Sequence, residues 1–211
     1  MILPHCRQEQ RAWQRHNLPV FSLDEVGRGA LAGPVCACAF VIRKPLKIKG
    51  KIPKLIRDSK QLSPSQRQKM YTWIKDSPQY AYATAFTPAK AIDKVNIRQA
   101  NFRAMRQAIE KLSQKTGYRK FVLFVDGNDP IPGLKQIQYC FIKGDARIFS
   151  IACASIIAKV TRDKRMRQLA KLHPQYAFEI HKGYGTRLHY RAIKKHGVSS
   201  QHRKSFLKNN L

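Results

Sequence analysis

Residues 20–42 read VFSLDEVGRGALAGPVCACAFVI: two apolar runs joined by a glycine-rich turn. The first run, 20–25, ends in the paired acids Asp24 and Glu25, and the second, 34–42, is uncharged throughout. Short apolar runs bounded by glycine predict two strands pairing as a hairpin. Further along, KFVLFVDGN (120–128) is a continuous apolar run and reads as a buried strand. QYAYATAFT (79–87) alternates as a strand does, and KQIQYCFIK (135–143) is another.

Helical patterns lie between these runs. Ser63 before Pro64 is a cap followed by a proline that can only open a helix, which should end before Pro78. Thr87-Pro88 opens a short helix towards Lys94. Asn96 caps a longer one to about Lys115, with Ile97, Ala100, Ala104, Ala108 and Leu112 on one face and Gly117 as its stop. Residues 145–173 read as a long helix, apolar all round in its first half and basic in its second. A further helix starts near Thr186, and 43–63 reads as a basic loop broken by Pro and Gly. An early hairpin followed by βα crossings predicts an α/β fold with a mixed central sheet flanked by helices.

The chain has 211 residues, 41 Lys plus Arg against 12 Asp plus Glu, and a formal charge of +29. Such a field draws in polyanions, so nucleic acid is the expected partner and binding should weaken steeply with salt. A membrane surface is the competing partner, but no basic amphipathic helix with a bulky apolar face stands out. The N-terminal stretch lacks a signal-peptide core, and 148–158 is too short to span a bilayer. Five cysteines without zinc-finger spacing fit reduced thiols, and a cytoplasmic location is expected. The chain length suits one domain, expected to be monomeric.

With so few acids, their placement is informative. Asp24 and Glu25 end the first strand, Asp126 ends the buried one, and Asp145 sits before the long helix. Sites in open α/β sheets form at the carboxyl ends of strands. Carboxylates converging there repel one another and must share protons or hold a cation. Hard oxygen ligands select Mg2+ or Mn2+, and two such ions can clamp a phosphodiester. The plainer readings are a helix cap for Asp145, a turn for 126–128 and a solvated strand end for Asp24 and Glu25. Asp163 reads as a salt-bridge partner for a neighbouring arginine, or as support behind the site.

The motifs DEVGRG, RDSKQLS, IDKVNIRQAN, AMRQAI, VDGN, KGD, SIACASIIAKVTRD, HKGYGT and HRKSF follow in order over residues 24–206. Together they closely resemble the bacterial type 2 ribonucleases H, ribonuclease HII. The resemblance implies an RNase H-like fold over residues 1–211, with about 174–211 as a C-terminal helical extension. It implies a Mg2+- or Mn2+-dependent endoribonuclease whose ligands are Asp24, Glu25, Asp126 and Asp145, the four acids that charge alone selects. It gives Gly27, Arg28 and Gly29 the reading of a ribonucleotide 2′-hydroxyl, and Tyr184 packing against the adjacent deoxyribose. Lys60 and Asn96 are implied phosphate contacts. His181, Lys182, Arg187, His202, Arg203 and Lys204 are further candidates for the nucleic-acid backbone.

Val26 and Cys153 depart from the commoner alanines at those positions, and both remain small and apolar. The arginine of GRG separates the chain from the related type 3 enzymes. The implied substrates are RNA–DNA hybrids and single ribonucleotides in duplex DNA, cut on the 5′ side of the ribonucleotide. A non-catalytic nucleic-acid-binding protein would explain the charge and leave the four acids unexplained. A ribonuclease restricted to hybrids is the third reading.

Overall fold

A computed structural model describes residues 4–43, 53, 56, 59 and 62–207. Lys60, most of the basic segment before it and the last four residues lie outside the described residues. In chain order the elements are α1 (Arg7–His16), β1 (Val20–Val26), β2 (Val35–Ile42), α2 (Pro64–Asp76), β3 (Tyr80–Thr87), α3 (Ala89–Thr116), β4 (Val122–Asp126) and β5 (Gln138–Phe141). They are followed by α4 (Phe149–Leu172), α5 (Phe178–His181), α6 (Arg187–His196) and α7 (Lys204–Leu207). The five strands form one mixed sheet in the order β3-β2-β1-β4-β5. The pairs β1–β2 and β2–β3 are antiparallel, while β1–β4 and β4–β5 are parallel.

Strand alternation divides the core. Phe21 and Leu23 of β1, Leu123 and Val125 of β4, and Ala100, Ala104, Ala108 and Leu112 of α3 form one cluster. The opposite face meets α4 through Cys38 and Phe40 of β2 and Ala152, Cys153, Ile156 and Ile157. Ser22 faces α4 and donates to Ser150 Oγ at 2.6 Å, so this buried hydroxyl keeps a partner. The small residues of α4 let it lie close across the sheet, as the uniformly apolar first half of the helix requires.

Helix caps follow the sequence closely. Ser63 Oγ accepts from Gln66 N at 3.2 Å, while Ser63 N donates back to Gln66 Oε1 at 3.0 Å, with Pro64 opening α2. Asn96 breaks α3 into two helices, as its cap role predicts; its Oδ1 accepts from Gln99 N at 3.0 Å. The break sits at φ 63°, ψ 166°, a region costly for any residue with a Cβ. Thr87-Pro88 opens the first part of α3, which starts at Ala89, without a side-chain cap; the Thr87 hydroxyl donates instead to Ala100 O at 3.0 Å.

Three readings change. The helix read as 145–173 begins at Phe149, and Asp145 lies in a separate 3-10 turn at Gly144–Ala146, so it is not the helix cap. The segment 135–143 yields only four half-buried residues at the sheet edge. The helix α1 was not foreseen, because its sequence is polar and Cys6 offers no side-chain cap. It is held by burial of Ala12 and of Glu9, whose Oε1 accepts from Ser150 N at 2.8 Å in the first turn of α4. Glu9 thus caps a helix other than its own, although burial pushes its carboxyl upward despite the bond to Ser150. All five cysteines are free thiols, and no described helix is long and apolar enough to cross a membrane.

Candidate active site

The carboxyl ends of β1 and β4 are neighbours in the parallel pair, which brings Asp24 and Asp126 to the same end of the sheet. Asp145 arrives from the 3-10 turn after β5. One carboxylate oxygen from each of Asp24, Asp126 and Asp145 lies within 4.8 Å of the others. The turn is tied down by Gly144 N, which donates to Asp126 Oδ1 at 2.7 Å. A Cβ on Gly144 would meet Ile151 Cδ1 at 2.7 Å and crowd Asp126 Oδ1 at 3.1 Å, so the close approach of the two acids depends on that glycine.

Asp24 is buried, and its Oδ1 accepts from Glu25 N at 2.7 Å. Burial pushes its carboxyl well above the usual range, and the charges of Glu25 and Asp126 push it further in the same direction. Glu25, one residue along β1, lies outside the close trio. Its Oε1 is 3.3 Å from Arg28 Nη1, and it lines a cleft shared with Arg28, Arg98, Asn101, Asp126 and Asn128. Asn101 was not foreseen. It is buried beside that cleft, its carbonyl has no hydrogen-bond partner, and its amide is 4.0 Å from Met105 Sδ.

The GRG turn is held by two fully buried arginines. Arg203 donates to Gly27 O at 2.7 Å, to Arg28 O at 2.7 Å and to Gly33 O at 2.9 and 3.1 Å. Arg162 donates to Pro34 O at 2.9 Å, to Ala32 O at 3.3 Å and to Lys182 O at 2.9 Å. Its guanidinium carbon also lies 5.4 Å from the Tyr184 ring centroid. The two side chains therefore join the loop carrying Arg28 to the loop carrying Tyr184. Gly27 has φ +93°, and a Cβ there would lie 2.1 Å from Arg162 Nε. Among the described residues nothing lies within 4 Å of a Cβ built on Gly29. Packing by the described residues thus demands glycine at 27 and not at 29.

His181, His202 and Arg203 are buried and bonded internally, which corrects the reading of them as contacts to nucleic acid. Sequence places them in a basic tail; only packing shows that the tail folds inward. His202 Nδ1 accepts from Ser199 N at 2.9 Å, so its Nε2 carries the proton and donates to His189 Nε2 at 3.1 Å. His189 Nδ1 then donates to Tyr184 O at 3.0 Å. The ladder requires neutral imidazoles. Burial pushes both His189 and His202 down to about 4 from an ordinary 6.5. Between those values the unfolded chain binds more protons than the folded one. The stabilisation is complete above pH 6.5 and is lost as pH falls towards 4. Thermal melting should therefore drop steeply over that window. Proton NMR should show both rings neutral at pH 5; rings charged at that pH would remove the ladder from the account.

Asp163 pairs with Lys159 Nζ at 2.9 Å and lies 3.9 Å from Arg67 Nη1 on α2. Its arginine partner comes from another helix. Arg67 in turn donates to Ser59 O at 2.9 Å and Leu62 O at 2.7 Å. Asn96 caps its helix, as above. Tyr184 is half-buried, while Lys182 is half-buried and Arg187 and Lys204 remain at the surface.

A family model described as Ribonuclease HII matches residues 22–209. A Ribonuclease HII of Caldicellulosiruptor saccharolyticus is 46% identical over 193 residues, covering 91% of this chain and 88% of the relative. A Ribonuclease HII of Fusobacterium nucleatum is 43% identical over 190 residues, covering 90% and 86%. Among solved structures, the ribonuclease H2 of Pyrococcus horikoshii aligns with a TM-score of 0.65 at 24% identity, covering 89% of this chain and 93% of that one. The RNase HII in a PCNA complex from Archaeoglobus fulgidus gives 0.65 at 21%, covering 89% and 94%. A Bst-RNase HIII bound to Mn2+ gives 0.66 at 18%, covering 95% and 71%. At these identities the solved structures establish a shared fold.

Proposed function

Because the chain belongs to the ribonuclease HII family and is a ribonuclease H-type hydrolase, we propose that it cuts the phosphodiester on the 5′ side of ribonucleotides. The substrates are RNA–DNA hybrids and single ribonucleotides embedded in duplex DNA. The products carry 5′-phosphate and 3′-hydroxyl ends. The observation that carries this reading is the convergence of Asp24, Asp126 and Asp145 within 4.8 Å inside a chain of charge +29. Three carboxylates so close, one of them pushed upward by burial and by its neighbours' charges, fit a divalent cation. Asp24, Asp126 and Asp145 would hold Mg2+ or Mn2+, with Glu25 completing the set from the adjoining cleft. Bound there, a pair of such ions supplies an activated water and neutralises charge on the leaving oxygen.

The chain's own groups do the remainder. Asp24 and Asp126 are held in place by the sheet, and Gly144 fixes Asp145 beside them. The space over Gly29 among the described residues supports access of a sugar to the main chain, and Arg28, tethered to Glu25, is the group assigned here to the 2′-hydroxyl that separates RNA from DNA. The Tyr184 ring offers a flat apolar face for the neighbouring deoxyribose. Lys60 and Asn96 are assigned to phosphates in this reading. Five free thiols support a reducing, cytoplasmic setting, in which the protein acts as a monomer.

A labelled DNA duplex carrying one ribonucleotide tests the proposal. Cleavage with Mg2+ or Mn2+ that stops on chelation is the expected result, and binding without cutting would overturn it. In the same assay Arg28→Ala should lower the ribonucleotide preference in kcat/KM by about 10-fold or more, the effect of one lost charge-assisted hydrogen bond. An unchanged preference would reduce GRG to a structural turn.

A further inference from the structure

On the α4 side of the sheet, α1 lies over β4 beside the edge strand β5, and two adjoining cavities of about 210 and 220 Å³ run between them. The first is lined by Arg11, Arg15, Phe124 and Tyr139, the second by Arg147, and the Phe141 ring borders both. Arg11 and Arg15 are one helical turn apart on the exposed face of α1, and Arg147 is exposed at the other end. Among the described residues none of these three arginines has a carboxylate partner. The single acid of α1, Glu9, is buried and turned towards α4. Tyr139 and Phe141 are half-buried, and both stand edge-to-face against Phe124.

The end of the groove at Phe141 lies next to the acidic trio. Phe141 pairs with Asp126 in the parallel register, its carbonyl accepts from Gly127 N at 3.0 Å, and Arg147 lies two residues beyond Asp145. A duplex meets a protein surface chiefly through phosphates and has no use for exposed rings, because its bases are already stacked. Guanidiniums without carboxylate partners that line the same groove as half-buried aromatic rings suit unstacked bases on a single strand. A second copy of the chain would bring another set of positive charges to an all-positive groove, which argues against self-association there.

We infer that the α1–β5 groove binds single-stranded nucleic acid continuing past the duplex held at the carboxylates. The location of the cutting site rests on the proposed function; the groove itself does not. The test uses the full chain with EDTA present and measures affinity for a ribonucleotide-containing duplex, blunt or with a ten-nucleotide single-stranded extension, at several salt concentrations. The double variant Arg11→Glu/Arg15→Glu should lose about 10-fold or more of the advantage given by the extension, and its salt slope for the extended substrate should fall by about 2. Blunt-duplex affinity and, with Mn2+, blunt-duplex cleavage should stay near wild type. The charge-matched control Lys69→Glu/Lys75→Glu on α2 should retain the advantage. Equal losses in both double variants, or no loss in the first, would overturn the groove while leaving cleavage intact. Binding of an oligoglutamate peptide that alone depends on Arg11 and Arg15 would also overturn it, in favour of an acidic protein partner.

Discussion

Asp126→Asn should bind substrate and turn it over on the order of 10³-fold more slowly, since each metal contact at a developing phosphate charge contributes several kcal/mol. The substitution is nearly isosteric. The amide keeps an oxygen for Gly144 N, which donates to Asp126 Oδ1 at 2.7 Å, so the 3-10 turn should stay in place. A second readout separates a lost ligand from a damaged fold. In the metal-free protein, Asp24 is pushed upward by burial and by the charges of Glu25 and Asp126. At neutral pH that repulsion destabilises the folded state, and removing one charge relieves it. The variant should therefore melt about 2–4 °C higher than wild type without metal, the shift expected for about 1 kcal/mol in a chain of this size. Added Mn2+ should stabilise wild type by mass action and the variant much less. A variant with wild-type turnover would remove Asp126 from the metal site, and one melting lower would show that its role is structural.

The second large effect lies away from the carboxylates. Arg203→Lys should lower the melting temperature by about 10 °C, corresponding to roughly 3–5 kcal/mol. A guanidinium reaches the carbonyls of Gly27, Arg28 and Gly33 at once. A lysine head group has one centre and cannot span them, so at least one buried carbonyl loses its donor. Since two of those carbonyls belong to the GRG turn, the kcat/KM preference for ribonucleotide over deoxyribonucleotide should fall together with stability. An exposed arginine such as Arg187 replaced by lysine is the control and should alter neither. If discrimination survives in Arg203→Lys while stability drops, the turn holds its shape without this clamp.

Local signals carried much of the fold into plain view. Ser63-Pro64 and Asn96 announced their helices because capping depends on a few adjacent atoms. The apolar runs at 20–25, 34–42 and 120–128 announced their strands because a strand buried on both faces has little room for polar side chains. Helix α1 and the true start of α4 were hidden for a shared reason. Glu9 caps α4 from a different helix, and that bond joins residues 141 positions apart. Asp145 was recognisable as a site residue from the scarcity of acids and from its motif. Its actual seat, a 3-10 turn hung from Asp126 through Gly144, depends on how β4 and β5 lie side by side.

Composition, motif order and local patterning alone establish a basic α/β protein of this family, with the acids singled out by their rarity. Those properties are written in neighbouring residues and in charge, which need no three-dimensional frame. Which carboxylates meet within 4.8 Å, that Glu25 turns to Arg28, and that His202 and Arg203 face inward were settled only by tertiary packing. A buried cation or a neutral histidine ladder survives only where distant backbone groups supply its hydrogen bonds, and no short stretch of sequence contains both halves of such a pair.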